Sequence, residues 1–199
     1  MFTGLVEALG IVKSCSFLPK QKSLLFEIQA SQLSDSLKIG GSLCVNGVCL
    51  TVAKKTRKNV FFNIVGETKK RSTLSELKKD DLVNLERPLK FKGRIEGHFV
   101  LGHVDGVGVI QRIETKGSEK SFLISFPTEL KLYIFEKGSI AIDGVSLTLG
   151  KVSRNVFWVH GIPHTLKSTN FKNFRQKTRV NLETDILAKM TVKQKLKAH

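Results

Sequence analysis

His103, Lys137, Asp143, Ser146 and Thr148 are the residues of this chain whose types suit proton transfer on a polar ring. A histidine can take or give a proton near neutrality, and a hydroxyl, a carboxylate and a cation can orient or polarise a ligand. Most of them stand where an earlier, related stretch has something else. Leu5 corresponds to His103, Gly40 to Lys137, Asn46 to Asp143 and Cys49 to Ser146, while Thr51 is kept as Thr148. The second copy therefore gains an acid/base candidate, a carboxylate, a hydroxyl and a cation. The first copy reads as a binding site without them.

The elements that must position these residues occur twice. Gly41-Ser42-Leu43-Cys44-Val45-Asn46-Gly47-Val48-Cys49-Leu50-Thr51-Val52 returns as Gly138-Ser139-Ile140-Ala141-Ile142-Asp143-Gly144-Val145-Ser146-Leu147-Thr148-Leu149, offset by 97 residues. Each reads as strand, two-residue turn, strand, because Asn-Gly and Asp-Gly tolerate the positive φ of a tight hairpin. Cys49 with Thr51, and Ser146 with Thr148, share one face of a strand, and Leu50 with Val52 the other. Small hydroxyl and thiol groups beside a turn suit the edge of a planar heterocycle with alternating donors and acceptors.

Other pairings extend the duplication. Phe2 to Val12 reads as a strand beginning at the chain start, matched by Phe99 to Ile110 with Gly4 against Gly102. Ser23 to Ala30 pairs with Lys120 to Phe126, Asn59 to Ile64 with Asn155 to His160, and Val83-Asn84-Leu85-Glu86 with Val180-Asn181-Leu182-Glu183. Short helical turns are expected at Ser31 to Leu37 and Pro127 to Phe135, and after Glu67-Thr68 and His164-Thr165. About six short strands per copy point to small antiparallel barrels, whose closure removes exposed edges. Arg87 to Gly97 reads as the linker. Ile186, Leu187, Met190 and Leu196 form a loose apolar stripe in a lysine-rich tail, expected to be a helix that needs other copies of itself.

Composition narrows the classes. The apolar fraction of 41% and charged fraction of 25% are those of a soluble protein, and no apolar run has the length of a membrane span. The first residues lack a basic segment followed by an apolar core, so no signal peptide is expected. Three cysteines without paired spacing speak for a reducing compartment, with the cytoplasm as the default. The net charge of +16 is spread over both halves and reads as a solvated lysine-rich surface, with no nucleic-acid partner. His160 and His164 have helical ligand spacing, but Pro163 lies between them and no further ligand completes a set. No metal site is expected. His98 and His103 would face opposite ways on a strand.

Four stretches together resemble the riboflavin synthase family of the alpha-chain type. They are Met1-Phe2-Thr3-Gly4-Leu5-Val6-Glu7, Asn46 to Val52, Gly97-His98-Phe99-Val100-Leu101-Gly102-His103-Val104-Asp105-Gly106, and Ile142 to Thr148. The resemblance runs from Met1 to about Asp185. It implies an all-β fold of two tandem six-stranded Greek-key barrels and a C-terminal helix, divided as 1–97, 98–186 and 187–199. It implies the last step of riboflavin biosynthesis. Two molecules of 6,7-dimethyl-8-ribityllumazine dismutate by four-carbon transfer into riboflavin and 5-amino-6-ribitylamino-pyrimidinedione, with no cofactor. It also implies a homotrimer, and it leaves association with lumazine synthase open.

Carried over by motif, the resemblance implies a first pocket of Gly4, Leu5, Val6, Cys49, Leu50 and Thr51 with Asn63, Ile64, Val65, Gly66, Glu67 and Thr68. The second is Gly102, His103, Val104, Lys137, Ser146, Leu147 and Thr148 with His160, Gly161, Ile162, Pro163, His164 and Thr165. Ser146 and His103 are expected to handle the proton and Thr148 to orient the ring. Asp143 and Asp185 are expected to hold that network.

Overall fold

The computed structural model describes residues 1–19 and 23–197. In the first module β1 (Ala8–Leu18), β2 (Ser23–Gln29), β3 (Ser42–Val45), β4 (Val48–Lys55), β5 (Asn59–Ile64) and β6 (Leu82–Glu86) close into a barrel in the order β1-β2-β5-β4-β3-β6. All its pairings are antiparallel. The second module holds β7 (Gly106–Lys116), β8 (Glu119–Ser125), β9 (Ser139–Ile142), β10 (Val145–Thr148), β11 (Val152–Ser153), β12 (Val156–Gly161) and β13 (Arg179–Thr184). Its sheet runs β10-β9-β13-β7-β8-β12-β11, the order of the first module.

The two modules differ where β4 has its counterpart. β4 continues through a bulge between Val52 and Lys54. The equivalent run of the second module breaks into β10 and β11, which form the two ends of a curled sheet. Leu149 to Lys151 join them, and there the Gly150 amide donates to the Trp158 carbonyl (2.8 Å) and the Trp158 amide to the Lys151 carbonyl (3.0 Å).

Both hairpins have the expected turns. Asn46 and Gly47 have φ of 44° and 78°, and Asp143 and Gly144 of 45° and 78°. Alternation along the strands fills two cores. Phe26, Ile28, Leu43, Phe62 and Leu85 lie in the first, and Phe122, Ile124, Phe157, Phe171 and Leu182 in the second. The expected turns after β2 and β8 are 3-10 helices at Ser34–Ser36 and Thr128–Tyr133. Short helices α1 (Gly66–Arg71) and α2 (Pro163–Ser168) follow β5 and β12, and α3 (Ile186–Lys197) ends the described chain. Ala198 and His199, part of the expected tail, lie outside the described residues.

The first strand begins later than expected. Phe2 makes only an isolated antiparallel bridge to Val100, its own counterpart, with amide-to-carbonyl distances of 2.6 and 3.1 Å. The chain then turns at Gly4 (φ 81°), as its counterpart Gly102 does (φ 77°), and β1 starts at Ala8. Phe2, Cys44, Val100 and Ala141 form a small apolar cluster between the modules. Opening that cluster by cutting Phe2 to Ala would cost about 3–5 kcal/mol.

A polar seam lies beside it. The Gly47 and Gly144 tips touch closely enough that a Cβ on Gly47 would lie 2.8 Å from the Gly144 nitrogen. Asn84 and Asn181, equivalent residues, each reach across. Asn84 Nδ2 donates to the Asp143 carbonyl (2.9 Å), and Asn181 Nδ2 to the Asn46 carbonyl (2.7 Å). Asn170 donates to Asp143 Oδ2 (2.8 Å) and accepts from Asn84 (2.9 Å). All five residues are buried, and each bond satisfies a group that would otherwise be stranded.

Candidate active site

After the Phe2–Val100 bridge the two arms cross to opposite modules. The Gly4 carbonyl accepts from the Ser146 amide, and the Gly102 carbonyl from the Cys49 amide, both at 2.8 Å. Val6 packs on the second core and Val104 on the first. The close approach requires glycine. A Cβ on Gly4 would lie 2.5 Å from Ser146 Cβ, and one on Gly102 2.6 Å from Cys49 Cβ.

This crossing corrects the pocket assignment made from motifs. Gly4 lies against Ser146 and Val6 on the second core, while the exposed Leu5 lines a separate cleft with Glu7 and Arg87, and Gly102, His103 and Val104 lie beside Cys49. Chain order misassigned them because each arm leaves its own module before reaching a hairpin. A cavity of about 220 Å³ is lined by Val48, Cys49, Glu67, Thr68, Arg71, Ser72, Gly102, His103 and Val104. His103 is exposed at its rim, and Glu67 pairs with Arg71 along α1. Thr51, Asn63, Val65 and Gly66 are exposed nearby along the chain, while Leu50 and Ile64 point into the core.

The second site is built around a different histidine. Ser146 Oγ lies 2.7 Å from His98 Nδ1. His98 Nε2 is buried and has no hydrogen-bond partner among the described residues. Burial lowers the His98 pKa, opposed by the charge of Asp185. In one tautomer Ser146 donates to the ring, and in the other the ring donates to Ser146. Either way one short bond links a base to a hydroxyl. Asp185 also caps α3, accepting the Leu187 amide at 2.9 Å. Thr148 is exposed and Leu147 half-buried on β10.

Lys137 is exposed, with a left-handed φ of 67° and its amide bonded to the Leu149 carbonyl. His160 Nδ1 meets Ser121 Oγ at 2.8 Å on β12, with Gly161 buried behind it. Ile162, Pro163 and His164 are exposed, and Thr165 is half-buried on α2.

Two expectations fail on geometry. His103 does not join Ser146, because its arm is bound to Cys49. Asp143 lies in the seam, where Oδ1 accepts the Asn181 amide (2.8 Å) and Oδ2 accepts from Asn170. Burial raises its pKa to about 7. A larger cleft of about 370 Å³ opens on that seam, with Asp143 as its one contact with the expected catalytic set.

The residues missed by motif are His98, Glu86 and Glu183. Nothing in the first module corresponds to His98, since the duplicated pattern begins after it, and comparison of the copies cannot single it out. Glu86 and Glu183 repeat at the 97-residue offset, which was a usable signal. They accept the arm amides: Thr3 and Gly4 at 2.6 and 3.0 Å, and Leu101, Gly102 and His103 at 2.6, 2.9 and 3.1 Å. Burial raises both pKa values, that of Glu183 to about 7.

The lumazine binding domain family matches this chain twice, over residues 3–88 and 101–185. Riboflavin synthase of Actinobacillus pleuropneumoniae is 39% identical over 189 residues, which is 95% of this chain and 87% of that one. The Chlamydia pneumoniae enzyme is 39% identical over 193 residues, covering 96% and 94%. The chain belongs to the riboflavin synthase family. Solved structures agree with that membership. LumP complexed with riboflavin superposes with a TM-score of 0.84 at 26% identity, covering 92% of this chain and 99% of that one. LumP with 6,7-dimethyl-8-(1'-D-ribityl) lumazine gives 0.83 at 25% identity and the same coverage. The family's domain is thus present as two copies, and the crossed arms join them.

Proposed function

We propose that the protein converts two molecules of 6,7-dimethyl-8-ribityllumazine into riboflavin and 5-amino-6-ribitylamino-pyrimidinedione, one molecule donating four carbons to the other. The observation that carries this reading is a pair of equivalent sites with unlike chemistry. One has Cys49, Thr68 and His103, the other Ser146 and a half-buried His98 whose pKa burial lowers. A reaction between two identical molecules needs two like pockets and one asymmetric step. Orientation of the pair supplies much of the acceleration, since effective molarities of well-placed groups reach on the order of 10⁵ M or more. The asymmetric step is removal of a proton from the ring's C7 methyl. His98 and Ser146 are the groups we assign to it, with Asp185 setting the charge around His98 and Thr148 and Lys137 contacting the same ligand.

In this reading residues 1–97 and 98–186 are the two lumazine-binding units, each completed by the other's arm. Residues 187–199 assemble a homotrimer, supported by Leu187, Met190 and Leu196, which are 54%, 54% and 68% exposed on α3. A trimer brings the Cys49 site of one copy towards the Ser146 site of the next. The cytoplasm is the proposed compartment, and lumazine synthase the proposed source of substrate and associated partner.

The test mixes purified protein with the lumazine and a metal chelator and follows riboflavin by absorbance. Riboflavin at half the molar amount of lumazine consumed is expected. Tight binding with no riboflavin would replace this reading by a binding-only role. Sedimentation at about three times the 22.2 kDa chain mass checks the trimer.

A further inference from the structure

We infer that Glu86 and Glu183 are positioning residues, each carboxylate fixing the glycine arm that its own module contributes to the opposite pocket. The inference rests on reading the Cys49 and Ser146 surroundings as ligand sites.

The arms pose a specific problem. Phe2 and Val100 pair with each other for a single bridge, and the chains then diverge. The next amides have no strand to bind, yet Thr3, Gly4 and Gly102 are buried. An acceptor must come from a side chain. An ionised carboxylate has two oxygens and accepts only, so it can serve several converging amides. Glu86 and Glu183 are 5% and 3% exposed. Glu86 ends β6 and Glu183 is next to last in β13, opposite Cys44 and Ala141 of the neighbouring strand.

Each clamp continues into a pocket. Glu86 holds the Gly4 amide, and the Gly4 carbonyl holds the Ser146 amide. Glu183 holds the Gly102 amide, and the Gly102 carbonyl holds the Cys49 amide. The two clamps are not identical. Glu86 spends its third bond on the Thr3 hydroxyl (2.9 Å), whereas Glu183 spends it on the His103 amide. Glu183 therefore also sets where the His103 ring leaves the backbone. The charged groups around Glu183 are Asp105 from its own module and Lys189 from α3. The buried Cys44 thiol is raised in pKa by burial first and then by the charges of Glu86 and Glu183.

The crossing makes the inference testable, because damage must appear in the opposite module. Glu183→Gln and Glu86→Gln are compared with the wild type and with Glu114→Gln, whose exposed pair with Arg112 is remote in role. Iodoacetamide labelling of Cys49 is read by peptide mass spectrometry at one pH, set above the Glu183 value of about 7 so that its carboxylate is ionised, alongside kcat and KM. Glu183→Gln is expected to label Cys49 about tenfold faster, since a charged hydrogen-bond acceptor is lost. Glu86→Gln is expected to leave that labelling at the wild-type rate while lowering kcat/KM. Equal labelling in both variants, or no change in a folded Glu183→Gln protein, overturns the inference. Labelling decides this even if wild-type protein makes no riboflavin, which would sink only the proposed reaction.

If Glu183→Gln does not fold, two measurements still decide. Gly102→Ala displaces the same arm and should raise Cys49 labelling likewise. In the wild type, the Gly102 and His103 amide protons should shift together in NMR spectra as pH falls through about 7. Static amide shifts, or a folded Gly102→Ala protein that labels as wild type, overturn the clamp.

Discussion

His98 Nδ1 lies 2.7 Å from Ser146 Oγ, joining the segment between the modules to the second hairpin. The His98 amide in turn donates to the Thr3 carbonyl at 3.1 Å, so three separate parts of the chain converge on this hydroxyl.

Ser146→Ala and His98→Asn should each lower kcat by about a hundredfold or more, the usual worth of a positioned acid/base pair, with KM changing little. Steady-state kinetics with thermal melts as the folding control check this. Burial lowers the His98 pKa, so the acid limb of kcat should lie below the ordinary histidine range. The sign for stability follows: between the lowered folded value and the usual 6.5 the unfolded chain binds the extra proton. His98 therefore makes stability fall as pH drops through that window, and His98→Asn should remove this part of the slope.

Asp143→Ala should act on stability before chemistry. It strands the Asn181 amide and the Asn170 side chain in the seam, at about 1–3 kcal/mol for each group. Chemical denaturation measures it. The folded pKa of Asp143 is raised from 3.8 to about 7, so the folded state holds its proton more tightly. Its contribution is fully present below about pH 4 and is lost as pH rises through about 7. Asp143→Ala should flatten stability across that window.

Gly47→Ala should destabilise by about 2–4 kcal/mol, combining a left-handed φ of 78° with overpacking against the Gly144 backbone. Urea unfolding reads it. A loss below about 0.5 kcal/mol would mean that the hairpin tips do not press together in solution.

Lys189→Ala should loosen α3. The Lys189 ammonium lies 2.7 Å from an Asp105 carboxylate oxygen that also accepts the Thr184 amide and hydroxyl. Faster amide hydrogen exchange over Ile186 to Met190, with the barrel amides unchanged, is the expected outcome. The first module uses the equivalent acid, Glu7, to hold Arg87 instead.

The duplication made most of the fold legible. Asn-Gly and Asp-Gly marked both hairpins because few residue pairs tolerate φ above zero twice in succession. Leu50 and Val52 fell on the core side as the alternation required. What periodicity could not convey was the path of an arm that is not in a strand. Gly4 and Gly102 were read as lying within strands, and their crossing depends on contacts with residues far along the chain. His103 was therefore joined to the wrong hydroxyl. Asp143 looked catalytic because it differs from Asn46, but the difference serves a buried interface in which Asn170 and Asn181 both donate to it. Glu86 and Glu183 were visible as a repeat, yet strand patterning alone gives no reason to expect a buried acid.

The crossed arms give each pocket mixed inheritance. Cys49 comes from one copy of the ancestral unit and the His103 beside it from the other, and the same holds for Ser146 and Gly4. A substitution in either copy therefore reshapes a site that its neighbours in sequence do not build. Transplanting one barrel into a relative would carry over half of each site, a chimera, and the smallest piece that can be exchanged intact is the arm together with the hairpin it crosses to reach.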